Sequence, residues 1–300
     1  MLEALFQQFG FQMQVAQIMR GPLRGQLCAT RSAGGLLLQL TTNQCLSCSG
    51  NRNQRWLAIA LKQTDNLEMH RLRGEPVQPC SVQGFNRNLT ESIWQVSPHS
   101  HLSLLVVPVQ RILDLIALDP SSKLQGVIDT SNVVTFQPRH FQTLKTFLLS
   151  HEIHEAPARD TLDARLVECF MQPDNISDAD IPLSSRAELT NDLLNYGFSN
   201  PSTAISLKDL SKTLLKSSSS ITKASREQFG VSPMQLLKQI RLQQVQRLLM
   251  DPEQQHELGT HSISAIAQRF GFTAPNHFAR DYRRMFWESP RQTLKLTGAA

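Results

Sequence analysis

The stretch FTAPNHFARDYRRMF, residues 272–286, decides the fold of the C-terminal third of this 300-residue chain. Its large apolar residues stand at i, i+4, i+7 and i+8, one stripe of an amphipathic helix: Phe278, Tyr282, Met285 and Phe286. The opposite face carries four polar or basic residues: Asn276, His277, Arg280 and Arg284. Pro275 falls in the first turn, where its fixed φ favours helix initiation. The stretch therefore predicts a helix with one buried face and one basic face.

The residues before this helix, SISAIAQRFGF (262–272), predict a shorter helix that turns sharply into it. Ile266, Ala267 and Phe270 point inward at helical spacing, and Gly271 ends the helix. Ala267 and Gly271 stand where a close helix crossing and a tight turn each require a small residue. The pair is therefore predicted to form a helix-turn-helix unit. Taken alone, it also fits a helical hairpin with a charged outer face.

A second copy of the pattern lies upstream. The sequences SKTLLKSSSSITKASREQFGVSP (211–233) and AQRFGFTAPNHFARDYRRMFWESP (267–290) end in FGVSP and FWESP, 57 residues apart. The inner face of the first copy is predicted to contain Ile221, Ala224, Gln228 and Phe229. Its outer face is predicted to contain Ser219, Thr222, Lys223 and Arg226. This internal repeat favours paired helix-turn-helix units over an isolated hairpin.

Between the copies, SPMQLLKQIRLQQVQRLL (232–249) predicts one continuous helix. Its buried side is predicted to contain Leu237, Ile240, Leu248 and Leu249. About 17 helical residues span roughly 25 Å, so the two outer helices would lie about 34 Å apart, one turn of DNA. In such units the second helix enters the major groove, where polar residues near its start meet base edges and basic residues meet phosphates.

The charge distribution supports a polyanionic partner at the C-terminal end. Residues 201–300 carry 14 Lys and Arg against 7 Asp and Glu, whereas residues 1–200 carry 16 against 18. Apolar content of 40% and charged content of 18% are ordinary for a soluble globular protein, and no apolar run has the length of a membrane helix. The N-terminus lacks the features of a signal peptide, so we expect a cytoplasmic protein with no membrane partner.

The N-terminal half has a different rhythm. Between residues 20 and 135, short apolar runs alternate with Gly, Pro, Asn and Ser clusters, which predicts a β-rich barrel or sandwich. Residues 138–172 then predict two amphipathic helices, HFQTLKTFLLSH and DTLDARLVECFMQ. The polar, Pro-broken stretch 173–185 predicts a linker, and residues 186–300 read as helical. Three serines are predicted to cap the starts of helices: Ser206, Ser232 and Ser262.

Residues typical of metal or catalytic sites occur without their usual companions. Cys45 and Cys48 form a lone CxxC, which fits two ordinary thiols better than a zinc or redox site. His99 and His101 would share one face of a strand, but no third ligand follows at a suitable spacing. HEIHE at 151–155 is not the HExxH of zinc peptidases. We therefore predict no catalytic residues, no metal, no cofactor and no enzyme activity.

The C-terminal region, about residues 186–297, resembles the DNA-binding domain of the AraC/XylS family of bacterial transcription regulators. The resemblance rests on RAELTNDLLNY, FGVSPMQLLKQIRLQQVQRLL and ISAIAQRFGFTAPNHFARDYRRMFWESPRQTL. By position, it implies base-facing residues Ser219, Thr222 and Lys223 in the first unit and Pro275, Asn276, His277 and Arg280 in the second. Together with neighbouring residues, the DNA contacts are expected to be Ser218, Ser219, Thr222, Lys223, Arg226, Thr273, Pro275, Asn276, His277, Arg280 and Arg284.

Two departures from the family pattern affect this expectation. The family usually has Gly where Trp287 stands, so this helix end must close in another way, with the ring expected to pack against Phe286 or another domain. Ser225 stands where an aromatic residue normally fills the core, and the first outer helix begins with the serine run 217–220. Because serine reads bases only weakly, we expect most sequence discrimination from the second unit.

The resemblance also implies an architecture and partners. We expect an α+β chain with a cupin-like N-terminal β-barrel sensor domain and trailing helices (1–172), a linker (173–185) and an all-α double helix-turn-helix domain (186–300). Expected partners are the major groove of double-stranded DNA, RNA polymerase, a small effector at the barrel, and a second copy in a homodimer. The dimer would form through the trailing helices, whose apolar stripes include Leu144, Phe147, Leu148, Leu166 and Phe170.

These features predict a transcription regulator, either an activator or a repressor. An alternative assigns the N-terminal barrel to a metal-dependent module that modifies a small molecule, with DNA binding secondary. The effector and the operator are not specified by the sequence.

Overall fold

The computed structural model describes residues 2–8, 10–32, 35–117, 124–150, 177–179, 183–202, 205–260 and 262–296. The chain divides into two compact units. The first contains Met1–Val15 and Arg24–Pro182, and the second contains Ala16–Leu23 and Leu183–Ala300. Within the described ranges, no helix is long and apolar enough to cross a membrane.

The strands form two antiparallel sheets. They are β1 (Gln12–Gln17), β2 (Gly25–Ser32), β3 (Gly35–Thr42), β4 (Leu46–Asn51), β5 (Trp56–Lys62), β6 (Arg71–Leu72), β7 (Glu75–Pro76), β8 (Ser81–Gln83), β9 (Glu91–Val96), β10 (Ser100–Pro108), β11 (Val133–Thr135) and β12 (Ser177–Ala179). One sheet has the order β1-β4-β9-β6-β7 and the other β12-β11-β8-β5-β10-β3-β2. In the larger sheet, Leu104 of β10 lies opposite Leu38 of β3 and Ala60 of β5.

Helices cover one face of the larger sheet. The helices outside the second unit are α1 (Leu2–Gln8), α2 (Val109–Ala117), α3 (Leu124–Thr130) and α4 (Pro138–Ser150). Because side chains alternate along a strand, Leu57, Ile59 and Leu61 of β5 pack with Ile112 of α2 and Leu144 of α4. The alternate residues of β5 face the smaller sheet. The larger sheet is therefore covered on both sides, which agrees with the apolar residues on both faces of β5 (WLAIALK).

The β-rich character predicted for residues 20–135 is confirmed. The described strands form two sheets and no closed one, so the cupin-like barrel stays a prediction. Helix α4 forms where HFQTLKTFLLSH predicted a helix. Strand β12 lies inside the segment 173–185 that we predicted to be a linker, because its backbone pairs with β11. The second predicted trailing helix and HEIHE lie outside the described residues.

The second unit is helical. It contains α5 (Ser185–Ser199), α6 (Leu207–Thr213), α7 (Ser218–Phe229), α8 (Pro233–Leu249), α9 (Pro252–Glu257), α10 (Ile263–Arg269), α11 (Pro275–Phe286) and α12 (Pro290–Leu296). Ser206, Ser232 and Ser262 each accept a hydrogen bond from the N–H group three residues later, as expected of N-caps. The predicted caps are therefore confirmed.

Helix α8 is the central element of this unit. Toward its start, Ile240 and Leu237 lie so close to Gly197 of α5 that an added Cβ would stand 2.7 Å and 3.0 Å from their side chains. Toward its end, Val245 and Leu249 join the core formed by α10 and α11. The predicted 17-residue helix is confirmed, and both helix-turn-helix units pack against it.

A short N-terminal segment also belongs to the second unit. The backbone N–H of Gln17 donates to the Gln243 Oε1 at 2.7 Å, and Gln243 Nε2 donates to the Gln17 carbonyl at 2.8 Å. The N–H of Gly21 donates to the carbonyl of Met285 at 2.7 Å. Residues 16–23 therefore bind α8 and the end of α11, an association that the sequence did not predict.

Candidate nucleic-acid interface

Helix α11 has the amphipathic form predicted from its sequence. Pro275 starts the helix, and the rings of Phe278, Tyr282 and Phe286 follow one another on its buried side at centroid distances of 5.6 Å and 4.7 Å. The predicted contact residues of this unit are exposed: Thr273, Pro275, Asn276, His277, Arg280 and Arg284. The helix is therefore held by one face and presents the other to solvent.

Helix α7 repeats this arrangement. Both helices have 12 residues, and they begin and end 57 residues apart. Ser219, Lys223 and Arg226 are exposed, whereas Ser218 and Thr222 are half-buried. The hydroxyl of Thr222 donates to the Ser218 carbonyl at 2.7 Å, within the helix itself. The structure thus places the predicted residues of each helix-turn-helix unit on its outer helix, apart from Thr273, which lies just before α11 begins, and Lys223 occupies the position of Arg280.

The serine run at the start of α7 is partly occupied with itself. Ser217 caps the helix, and its hydroxyl lies 2.9 Å from that of Ser219 and 2.8 Å from that of Ser220. These contacts leave less hydrogen-bonding capacity for a base edge than the corresponding residues of α11 have. Weak base reading by the first helix-turn-helix unit stays a prediction.

Both outer helices end in the left-handed conformation. Gly230 closes α7 at φ 72°, and Trp287 closes α11 at φ 60°, with its N–H donating to the Arg283 carbonyl. The aromatic residue thus takes the backbone position of the glycine in the repeat. Contrary to our expectation, the Trp287 side chain is 73% exposed and does not fill the core.

The cores of the two helix-turn-helix units differ at Ser225, where the second unit has an aromatic residue. Tyr282, at the equivalent position of α11, is fully buried, and its hydroxyl lies 2.8 Å from that of Thr293. Burial raises the pKa of this phenol. Ser225 is equally buried, and its hydroxyl donates to the Val231 carbonyl at 2.8 Å. A small polar residue is tolerated there because its only donor is satisfied.

The exposed cations of the two helices are available to a partner. Among the described residues, Lys223, Arg226 and Arg280 form no ion pair. The acidic residue of α11, Asp281, instead accepts from Lys238 of α8 at 3.0 Å. A positive surface of this kind is what a phosphate backbone requires.

Our sequence prediction missed Arg283. This residue is exposed in the last turn of α11, at the position that Arg226 occupies in α7. The 57-residue repeat would have identified it, because Arg226 was among the predicted contacts. We therefore add Arg283 to the candidate interface.

The histidine and cysteine pairs singled out in the sequence lie in the first compact unit. His99 lies in a turn at φ 53°, before β10 begins, so it does not share a strand face with His101. The His101 ring lies 3.1 Å from the Gln39 amide oxygen. Cys45 and Cys48 are fully buried free thiols, and burial raises the pKa of Cys45 to about 12 and that of Cys48 well above its usual value.

Known proteins similar to this chain share its C-terminal region. A family model described as a helix-turn-helix domain matches residues 210–296. The XylDLEGF operon transcriptional activator 2 of Pseudomonas putida is 31% identical over 97 residues, which cover 32% of this chain. The match spans 59% of that relative's length.

Solved structures include similar proteins. A probable AraC family transcriptional regulator from Rhodopseudomonas palustris CGA009 is 33% identical, with a TM-score of 0.32, covering 37% of this chain and 97% of that one. ToxT from Vibrio cholerae is 13% identical, with a TM-score of 0.33, covering 95% of this chain and 98% of that one.

The family match falls on the double helix-turn-helix region described above. Residues 210–296 thus form a helix-turn-helix domain, and in this region the chain is similar to transcription regulators of the AraC/XylS type.

Proposed function

We propose that this chain is a sequence-specific transcription regulator that binds double-stranded DNA through both helix-turn-helix units. The observation that supports this best is the pair of 12-residue helices, α7 and α11, each with one face in the core and one face of exposed polar and basic residues. An α-helix fits the major groove of DNA. The 17-residue α8 would set the two helices about one turn of DNA apart, on one face of the duplex.

Within this proposal the second helix-turn-helix unit reads the base sequence, and the first helix-turn-helix unit anchors the protein to the DNA backbone. Asn276 can pair with adenine and Arg280 with guanine, each through two hydrogen bonds, whereas Pro275 offers only apolar contact. In the first helix-turn-helix unit, Lys223 and Arg226 bind phosphates and thereby fix the register of the protein on the DNA. Exposure of all five side chains supports this assignment.

The first compact unit, which contains the two sheets, has the proposed role of an effector domain. It controls DNA binding or contact with RNA polymerase. We propose that the protein acts as a cytoplasmic homodimer that activates transcription. Leu144 and Leu148 of α4 are buried in the core of their own unit, so this stripe is covered and does not serve a dimer as we expected. Leu166 and Phe170 lie outside the described residues.

Selection of bound fragments from a random DNA library by the purified full-length chain tests the proposal. We expect one enriched motif in two parts, centred about one helical turn apart, with the sharper base preferences in one part. Arg280→Ala should blur that part. Arg55→Ala, a control at an exposed arginine of the first compact unit, should leave the motif unchanged. If folded protein enriches no motif, the proposal is wrong.

A further inference from the structure

The first compact unit contains a cavity lined by residues of both sheets. Leu38 of β3, Ala60 of β5 and Leu104 of β10 line it from the larger sheet, and Trp94 of β9 lines it from the smaller. The space that the centre of a water molecule can occupy there is about 60 Å³. Since one water needs roughly 10 to 15 Å³ of this space, the cavity has room for a ligand of about four to six heavy atoms.

Most of the cavity wall is apolar because of strand alternation. On β5, Leu57, Ile59 and Leu61 point toward the helices, which leaves Ala58 and Ala60 to point into the cavity. The short alanine side chains leave the space that larger residues would fill. The wall therefore suits a hydrocarbon group.

One end of the cavity is cationic. Arg52 lies in the turn after β4, and its Nη2 donates to the Gly84 carbonyl at 3.0 Å. Gly84 has φ +97°, and a Cβ there would stand 1.9 Å from the Ala58 carbonyl oxygen, so only glycine fits. The N–H of Gly84 in turn donates to the Asn132 carbonyl at 2.9 Å. Arg52 is thus held by a rigid backbone support.

Arg73 is the second cation at this end. It stands between β6 and β7 at φ 52°, a left-handed conformation that strains the backbone of a residue other than glycine. Its Nε is buried and has no hydrogen-bond partner in the part of the chain that the structure describes. The Oδ1 of Asn132 is likewise buried without a partner there. These groups form a polar end whose hydrogen bonds are incomplete.

The two guanidinium groups strengthen the demand for an anion. Burial, and then the charge of Arg73, lower the pKa of Arg52 to about 10, so Arg52 remains charged near neutral pH. His70, also in the wall, is neutral there because burial and the charge of Lys62 lower its pKa to about 3. Glu91 lines the cavity but is exposed, and it forms no ion pair among the described residues.

We propose that this cavity binds a short-chain monocarboxylate, with its carboxylate at Arg52 and Arg73 and its alkyl chain against Leu38, Ala60 and Leu104. Guanidinium groups match the geometry of a carboxylate and form charge-assisted hydrogen bonds with it. The apolar wall and the small volume exclude a highly charged phosphate ester and a long chain. The effector role of this ligand rests on the proposed function, but its binding does not.

Titration calorimetry of the full-length chain with sodium butyrate tests the assignment, with butylammonium chloride and sodium chloride as matched ligands. We expect saturable binding of butyrate alone. In a series from acetate to octanoate, affinity should peak near three to four carbons. Equal heats for butyrate and chloride, or a peak at octanoate, would overturn the proposal.

Variants locate the site. Arg73→Gln should weaken butyrate binding at least tenfold. The matched control is Arg71→Gln, because the Arg71 guanidinium donates to the Gly74 carbonyl in the same hairpin and does not line the cavity, and it should change affinity less than twofold. Ala60→Leu should abolish binding by filling the space. Circular dichroism confirms that each variant folds, and equal losses for Arg73→Gln and Arg71→Gln would refute the site.

DNA selection with and without butyrate separates this inference from the proposed function. An enriched DNA motif without butyrate binding would refute the ligand and leave DNA binding intact. Butyrate binding by a chain that selects no DNA would support the ligand and refute the regulator.

Discussion

Arg280 and Lys223 occupy the same position in the two outer helices, yet their neighbours differ. Arg280 follows Asn276 by one turn, and both are exposed near the start of α11. Lys223 follows Ser219, whose hydroxyl is 2.9 Å from that of Ser217. A guanidinium beside an amide can read two base edges, whereas an ammonium beside a shared hydroxyl acts mainly as a charge. Position alone therefore does not define the role of a residue.

We expect Arg280→Ala to remove about 1 to 3 kcal/mol of discrimination at particular base pairs. Lys223→Ala should weaken binding to a similar degree but evenly across sequences, because a phosphate contact carries no base information. Binding of each variant to a panel of operator variants at fixed salt measures the difference. The assignment is wrong if Arg280→Ala weakens all sites equally while Lys223→Ala relaxes preference at defined positions.

Trp287 leads to a prediction about stability. A residue other than glycine in the left-handed region costs about 1 kcal/mol, and the Trp287 side chain, at 73% exposure, recovers little of this by burial. Trp287→Gly should therefore raise the free energy of unfolding by about 1 kcal/mol, as measured by urea denaturation.

Gly230→Ala is the matched reverse substitution at the equivalent helix end. A Cβ at Gly230 would meet nothing within 4 Å, so only backbone strain should act, and stability should fall by about 1 kcal/mol. A loss of stability in Trp287→Gly would show instead that the indole ring makes a stabilising contact.

At the scale of elements, local sequence accounts for the helices and long-range pairing accounts for the rest. Helices α6, α8 and α10 follow from apolar spacing and from serine caps only three residues from the groups they bind. The Gln17–Gln243 pair joins residues 226 positions apart. Arg52 and Arg73 lie in turns with no periodic pattern. Because no local signal marks such partners, neither the cavity nor the segment 16–23 could be predicted.

The segment 16–23 should contribute measurably to the stability of the second unit. Gln243→Ala would leave the buried N–H and carbonyl of Gln17 without their partner, at a cost of about 1 to 3 kcal/mol. Hydrogen exchange of peptides from α8 and α11 should accelerate accordingly. The control Gln246→Ala loses only a 3.4 Å contact with Glu288 and should change exchange little. Equal exchange in both variants would contradict the role of the segment.

At the scale of the whole molecule, the asymmetry of charge predicts how salt controls DNA binding. Residues 201–300 carry an excess of 7 positive charges, from 14 basic and 7 acidic residues, whereas residues 1–200 carry an excess of 2 negative ones, from 16 and 18. Each phosphate neutralised releases counterions, so the logarithm of the affinity should fall steeply and linearly with the logarithm of salt concentration.

Arg283→Ala should lower that salt slope by about 1, because Arg283 is exposed at the position equivalent to Arg226 and is expected to contact one phosphate. The control Arg24→Ala removes an exposed arginine of the first compact unit and should leave the salt slope unchanged. Binding of the full-length variants to one DNA site between about 50 and 200 mM salt gives both slopes. If Arg24→Ala lowered the slope as much as Arg283→Ala, the phosphate contacts would not be confined to the second unit, and the proposed docking of α11 would be wrong.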